Sequence, residues 1–143
     1  ELPCITDNGY FSEVAFWMIT AGVIGALLAA IFGLIDWIAI PSGTRAKTVG
    51  LWHGGGNVVI VLLFILSWLL RLSDQRNPSI LAYILSIVGV ILALGTGWLG
   101  GELVDRMGVG VDEGANLNAP SSLSGRPATE TATGTTGERR MAR

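Results

Sequence analysis

The stretch VAFWMITAGVIGALLAAIFGLI, residues 14–35, carries no charged side chain. It is long enough to cross a bilayer, which takes ~20 predominantly apolar residues as a helix. Residues 48–70 and 77–101 form two more uncharged runs of at least that length. The hydrocarbon core offers no water to exposed peptide groups, so each run has to satisfy its own backbone as a helix rather than as an open strand. The fold class that follows is an all-α integral membrane protein of three transmembrane helices, antiparallel because the connections are short, with an extended C-terminal tail.

Composition agrees. Half of the 143 residues are hydrophobic, only 14% are charged and the mean hydropathy is +0.57, which leaves few charges for a soluble surface. With so much of the chain in the membrane there is room for one small domain and for no separate soluble enzyme. The net charge of -2 and the scattered basic residues exclude the dense basic face that nucleic acid requires, and no soluble substrate is indicated. Cys4 is the only cysteine, so no intrachain disulfide forms. The first ten residues contain Glu1 and Asp7 but neither a basic nor an apolar leader region, so they do not read as a signal peptide.

Along the chain, residues 1–12 are a polar entry segment with a turn signal at Asp7, Asn8 and Gly9 and with Ser12 as the cap of the first helix. The transmembrane domain covers 13–115, with helices expected at 13–40, 49–71 and 79–103. Pro41 stops the first helix, and Gly108, Gly110 and Gly114 break the pattern after the third. Residues 116–143 are rich in Ala, Ser, Thr, Gly and Pro and hold too few large apolar side chains to form a core, so alone they should be disordered. Trp17 and Trp68 fall near one membrane face, and Trp37, Trp52 and Trp98 near the other, at the depth amphipathic rings prefer. Orientation stays open, because Arg45, Lys47 and Arg106 at one face balance Arg71 and Arg76 at the other.

Small residues recur every fourth position as Ala21, Gly25, Ala29 and Gly33 on the first helix and as Gly89, Ala93, Gly97 and Gly101 on the third. Such stripes permit close backbone approach, either inside this bundle or to a further subunit or a flat pigment. Three helices alone bury two stripes poorly, which implies a partner helix.

Antiparallel connectivity places Asp36, His53 and Glu102 near one face. Asp36 and Glu102 sit at C-terminal helix ends, where the macrodipole disfavours a carboxylate by ~0.3–1 kcal/mol, so a nearby cation is expected from His53, Arg45, Lys47, Arg106 or a bound metal. The only histidine, His53, opens the run His53-Gly54-Gly55-Gly56-Asn57, with Asn57 one turn deeper on the same face. A neutral imidazole beside side-chain-free backbone suits an axial ligand of haem or of a chlorophyll-type pigment. The alternatives are a hydrogen-bonded histidine tied to Asp36 or Glu102, and a metal site made by all three. No phosphate loop, paired-cysteine motif, zinc-protease helix or hydrolase motif is present, so the chain does not read as an enzyme. Arg139, Arg140 and Arg143 form a small basic terminus able to touch anionic membrane lipid or an acidic subunit surface.

The run Gly97-Trp-Leu-Gly-Gly-Glu-Leu-Val-Asp-Arg-Met-Gly-Val-Gly-Val111 resembles the closing signature of a bacterial transmembrane family catalogued as domain of unknown function 2231. Gly33-Leu-Ile-Asp-Trp37 before the Pro41 loop, and Leu51-Trp-His-Gly with Asn57, are similar to its second and third helices, so the resemblance covers roughly 14–115. It implies a four-helix bundle whose first helix, with a His-Pro-rich motif, has no counterpart here. It also implies a multi-pass protein of the bacterial inner membrane. Family members are sometimes joined to Rieske iron-sulfur modules, which implies an association with haem or electron transfer. The leading expectation is a non-enzymatic accessory subunit of a respiratory or photosynthetic membrane complex. It would dock other transmembrane subunits through the small-residue stripes and its tail. A haem- or chlorin-binding module using His53, and proton or ion handling by Asp36, His53 and Glu102, are the competing readings.

Overall fold

The computed structural model describes residues 8–131. Three long helices follow one another: α1 (Asn8–Ala39), α2 (Arg45–Arg71) and α3 (Ile80–Gly101), which runs on into a π-helical turn, Glu102–Arg106. All three are long and apolar enough to span a membrane, and no strand occurs among the described residues.

Two helix starts differ from the sequence reading, each for a local physical reason. α1 begins at Asn8 because its first turns are packed: Gly9, Ser12 and Phe16 are buried there. Ser12 therefore lies inside the helix instead of capping it, and its hydroxyl shares a 2.7 Å hydrogen bond with the Tyr83 hydroxyl on α3. α2 begins at Arg45 because Thr44 caps it, accepting from the Lys47 amide at 3.1 Å while its own hydroxyl donates to the Pro41 carbonyl at 2.8 Å. Gly43, at φ +79, makes the turn that brings Thr44 into place.

α1 is held to α2 near both of its ends. At the first-loop end the Trp37 indole donates to the Lys47 carbonyl at 3.0 Å, and the Lys47 ammonium donates back to the Trp37 carbonyl at 2.6 Å. At the other end Phe16 stacks on Trp68 with centroids 5.8 Å apart, and the Trp68 indole donates to the Thr20 hydroxyl at 2.8 Å. Trp37 and Trp68 thus serve the joints between helices, while Trp17, Trp52 and Trp98 are exposed as interfacial anchors would be. Between the two joints lies an apolar cleft of about 380 Å³, lined among others by Gly22, Ala26, Ile60 and Phe64.

α2 and α3 meet along a continuous seam. Along α2, His53, Gly56, Phe64, Ser67 and Arg71 meet Gly100, Thr96, Gly89, Ser86 and Tyr83 respectively, in opposite chain directions. A side chain begun at Gly56 would lie 2.5 Å from Thr96 Cγ2, and one at Gly89 would lie 3.0 Å from the Phe64 ring, so glycine is what lets these backbones approach. In lipid this close packing, with interhelical hydrogen bonds, replaces the hydrophobic drive that holds soluble helices together.

The seam steps by three and four residues and departs from both four-residue stripes. At ~3.6 residues per turn, each four-residue step advances ~40° around the helix, so a stripe of four positions winds ~120° and cannot follow a seam that keeps to one side, although it suits a partner helix that crosses at an angle. On α3, Gly89 is buried against Phe64, but Ala93 is exposed, Gly97 has nothing within 4 Å of a side chain begun there, and Gly101 is only partly covered. On α1, Ala21, Gly25, Ala29 and Gly33 are all exposed.

The chain divides after Met107, and the second unit begins at Gly108. Its described part is a series of turns with Gly108, Gly110, Gly114 and Gly125 at positive φ and a single 3-10 turn, Ser122–Ser124. Within residues 116–131 the Asn116 side-chain amide donates to the Ala128 carbonyl at 2.7 Å, and Arg126 pairs with Glu130 at 2.7 Å. Cys4 and the basic terminus of Arg139, Arg140 and Arg143 lie outside the described residues.

Candidate functional site: two polar clusters in the helix seam

The seam carries one polar cluster toward each membrane face. The first is built on His53. Its Nδ1 lies 2.8 Å from the main-chain carbonyl of Thr96, which can only accept, so Nδ1 carries the proton and donates. Nε2 then holds the lone pair and accepts from the Asn57 side-chain amide at 3.1 Å. Asn57 Oδ1 in turn accepts from the Thr96 hydroxyl at 3.1 Å. The result is a closed ring of three bonds between α2 and α3 in which the donor and acceptor roles agree at every step. Gly100 faces the imidazole edge, 3.0 Å from His53 Cε1 to a side chain begun there, so the ring is directed into the seam. Of the three glycines after His53, only Gly56 faces α3; Gly54 and Gly55 border open space.

Both nitrogens of His53 are therefore hydrogen-bonded, and neither bond goes to a carboxylate. Glu102 pairs with Arg45 at 3.1 Å and more loosely with Arg106 at 4.0 Å. Asp36 is exposed on α1. Among the described residues neither Asp36 nor Glu102 is bonded to His53. Among the described residues no group of three or more His, Cys, Asp or Glu side chains is placed to hold a metal ion. The physical reason is that two arginines reach Glu102 first, and that Asp36 is exposed.

The second cluster lies at the opposite end of α2. Ser67 is fully buried and donates to the Ala82 carbonyl at 2.7 Å, with Ser86 2.8 Å from the same hydroxyl. One turn further, Arg71 is only 2% exposed. Its Nε reaches Ser67 Oγ at 3.4 Å, and its guanidinium lies 4.9 Å from the centre of the Tyr83 ring. Tyr83 closes the cluster through its bond to Ser12 on α1, so this end joins all three helices. Arg71 Nη1 is enclosed and has no hydrogen-bond partner.

Both clusters lie within a region, residues 3–113, that matches the family described as a predicted membrane protein, DUF2231. The chain belongs to the DUF2231 family. The match takes in all three helices and the π-helical turn, which lies inside the Gly97 to Val111 signature. Neither the curated proteins nor the solved structures return a match to it.

In this DUF2231 protein the sequence reading singled out His53 and Asn57 but missed Thr96, Ser67 and Tyr83, took Ser12 for a helix cap, and counted Arg71 only among the charges at a membrane face. A signal for them was present. His53, Asn57, Ile60, Phe64, Ser67 and Arg71 follow one three-and-four-residue stripe down α2, and polar residues on such a stripe inside an apolar helix face the bundle interior.

Proposed function

We propose that this DUF2231 protein is a non-enzymatic accessory subunit that docks other transmembrane helices along α1, within a larger energy-transducing assembly of respiratory or photosynthetic kind. The observation that carries this reading is the open small-residue face of α1. Ala21, Gly25, Ala29 and Gly33 are exposed, and nothing lies within 4 Å of a side chain begun at Gly25 or Gly33. Lipid covers any apolar helix, but a smooth stripe adds what lipid does not need, namely room for a second backbone to approach closely. The polar groups of the seam support a structural role as well. His53, Asn57 and Thr96 are spent on one another, and haem or chlorin ligation would require His53 Nε2 to give up Asn57. The respiratory or photosynthetic host is the finer part of the reading and rests on the association of similar chains with Rieske modules.

The test is the double substitution Gly25→Ile with Gly33→Ile in the native membrane, followed by mild extraction, native electrophoresis and mass spectrometry of the co-purifying chains. Both positions border open space, so the bundle should keep its helical content while the partner chains are lost. Full retention of the same partners with both bulky residues in place would sink the proposal.

A further inference from the structure

Arg71 is a buried cation for which the described chain provides no counter-charge. It is 2% exposed, Nη1 is enclosed without a hydrogen bond, Nε makes one long bond of 3.4 Å to a neutral serine, and no carboxylate among the described residues is ion-paired with it. Leaving a charge in that condition at the end of a membrane-spanning helix is costly, and such groups are retained where something pairs with them. The two described carboxylates at this end are both engaged elsewhere. Glu13 pairs at 3.0 Å with Arg76, although Arg76 is exposed and has water to solvate it. Asp74 accepts from the backbone amides of Arg76 and Asn77 at 3.0 and 2.9 Å. The described acids at this end are thus spent on the exposed arginine and the loop, and the buried arginine is left open.

We propose that Arg71 is a binding site for the phosphate of a membrane phospholipid. Chemistry and depth both select this occupant. A guanidinium offers parallel N–H donors that match two oxygens of a phosphate. Arg71 ends α2 immediately before the 72–79 connection, and the exposed rings of Tyr10, Phe11 and Trp17 on the neighbouring first turns of α1 lie at the level where aromatic side chains mark lipid headgroups. Tyr83, whose ring covers the guanidinium, is itself 40% exposed, so the cover over Arg71 is a surface side chain held by one hydrogen bond to Ser12. Turning that ring outward admits a phosphate oxygen to Nη1 and leaves the Tyr83 hydroxyl free to bond the same headgroup.

The experiment uses the full chain, purified in detergent and stripped of lipid, with three probes: phosphatidylglycerol, a diacylglycerol with the same acyl chains and no phosphate, and inorganic phosphate. Native mass spectrometry should show one phosphatidylglycerol retained, and the thermal midpoint should rise with it but not with diacylglycerol. Arg71→Lys should weaken retention on the order of tenfold, since it keeps the charge but loses the fork. Arg76→Gln should leave retention within about twofold, because Arg76 is engaged with Glu13. Equal protection by diacylglycerol would overturn the proposal, as would protection by inorganic phosphate without any by the lipid, or a loss of lipid that follows Arg76→Gln and not Arg71→Lys. Should Arg71→Lys fail to fold, Arg45→Gln and Arg106→Gln join Arg76→Gln with Arg71 left in place: retention of the lipid in all three supports the proposal, and its loss in any of them would overturn it.

Discussion

His53 Nδ1 donates to the main-chain carbonyl of Thr96 across 2.8 Å, so the single histidine of the chain reads the backbone of α3 and not a carboxylate. A main-chain acceptor inside a helix is already bonded within that helix, and its second lone pair is what His53 uses. That lone pair is reachable because no side chain stands at Gly100, beside the imidazole edge. The Thr96 side chain then returns to Asn57, so one residue of α3 holds both ends of the ring.

His53→Ala should therefore loosen the α2 and α3 seam without altering any absorption band. Asn57 and the Thr96 carbonyl each lose a partner, a cost of about 1–2 kcal/mol when polar groups inside a bundle are left short of a bond. Thermal unfolding in detergent reads the first effect, and oxidised and reduced visible spectra of the mildly extracted protein read the second. Bleaching of a stoichiometric band by His53→Ala would restore the axial-ligand reading.

Gly55 and Gly56 are adjacent and should respond oppositely to alanine. A methyl at Gly56 meets Thr96 Cγ2 at 2.5 Å and must push α3 aside or turn Thr96 away from Asn57, whereas a methyl at Gly55 meets nothing within 4 Å. Overpacking of this kind costs about 1–3 kcal/mol, while glycine to alanine in an open helix position gains roughly 0.5–1 kcal/mol of helix propensity. Opposite shifts in the thermal midpoint of the two variants are the expected result; equal shifts would mean that the seam lies elsewhere.

The three spans and their order were legible in the sequence because membrane solvation acts on whole segments, and uncharged runs such as 14–35 admit one solution. The start of α1 was not, since Ser12 is drawn into the helix by a bond to Tyr83 that is distant in sequence. The candidate site was half legible. His53 and Asn57 stand one turn apart on one helix, but their partner Thr96 offers a carbonyl, and a backbone acceptor leaves no trace in residue identity. Asp36 and Glu102 were grouped with His53 by depth alone, and depth does not state which way a side chain faces around its helix.

Asp74 sets a pH dependence in the connection between α2 and α3. Hydrogen bonds from the Asn77 and Arg76 backbone amides, the Asn77 one foremost, hold its carboxyl below the usual value of 3.8 against a smaller opposing effect of burial. A depressed folded value means that the contribution is present above the unfolded value and is lost as pH falls through the lower, folded one. The 72–79 connection should thus stay intact at neutral pH and loosen only in strong acid, and Asp74→Ala should remove that acid step. Carboxyl chemical shifts followed through an acid titration check both points; a midpoint at or above 3.8 would contradict the geometry.

Glu102→Gln separates an ion pair from a metal site. Arg45 and Glu102 are 3.1 Å apart with the arginine side chain 68% exposed, so water and salt screen the attraction, and Arg106 stands more distant at 4.0 Å. Exposed pairs of this kind contribute about 0–1 kcal/mol, and the contribution shrinks as ionic strength rises. Replacing the carboxylate should therefore shift the thermal midpoint slightly at low salt and scarcely at high salt, with no response to a chelator in either the natural chain or the variant. A chelator-sensitive midpoint that disappears in Glu102→Gln would instead make Glu102 a metal ligand, which the two arginines beside it disfavour because each adds positive charge where a cation would have to sit.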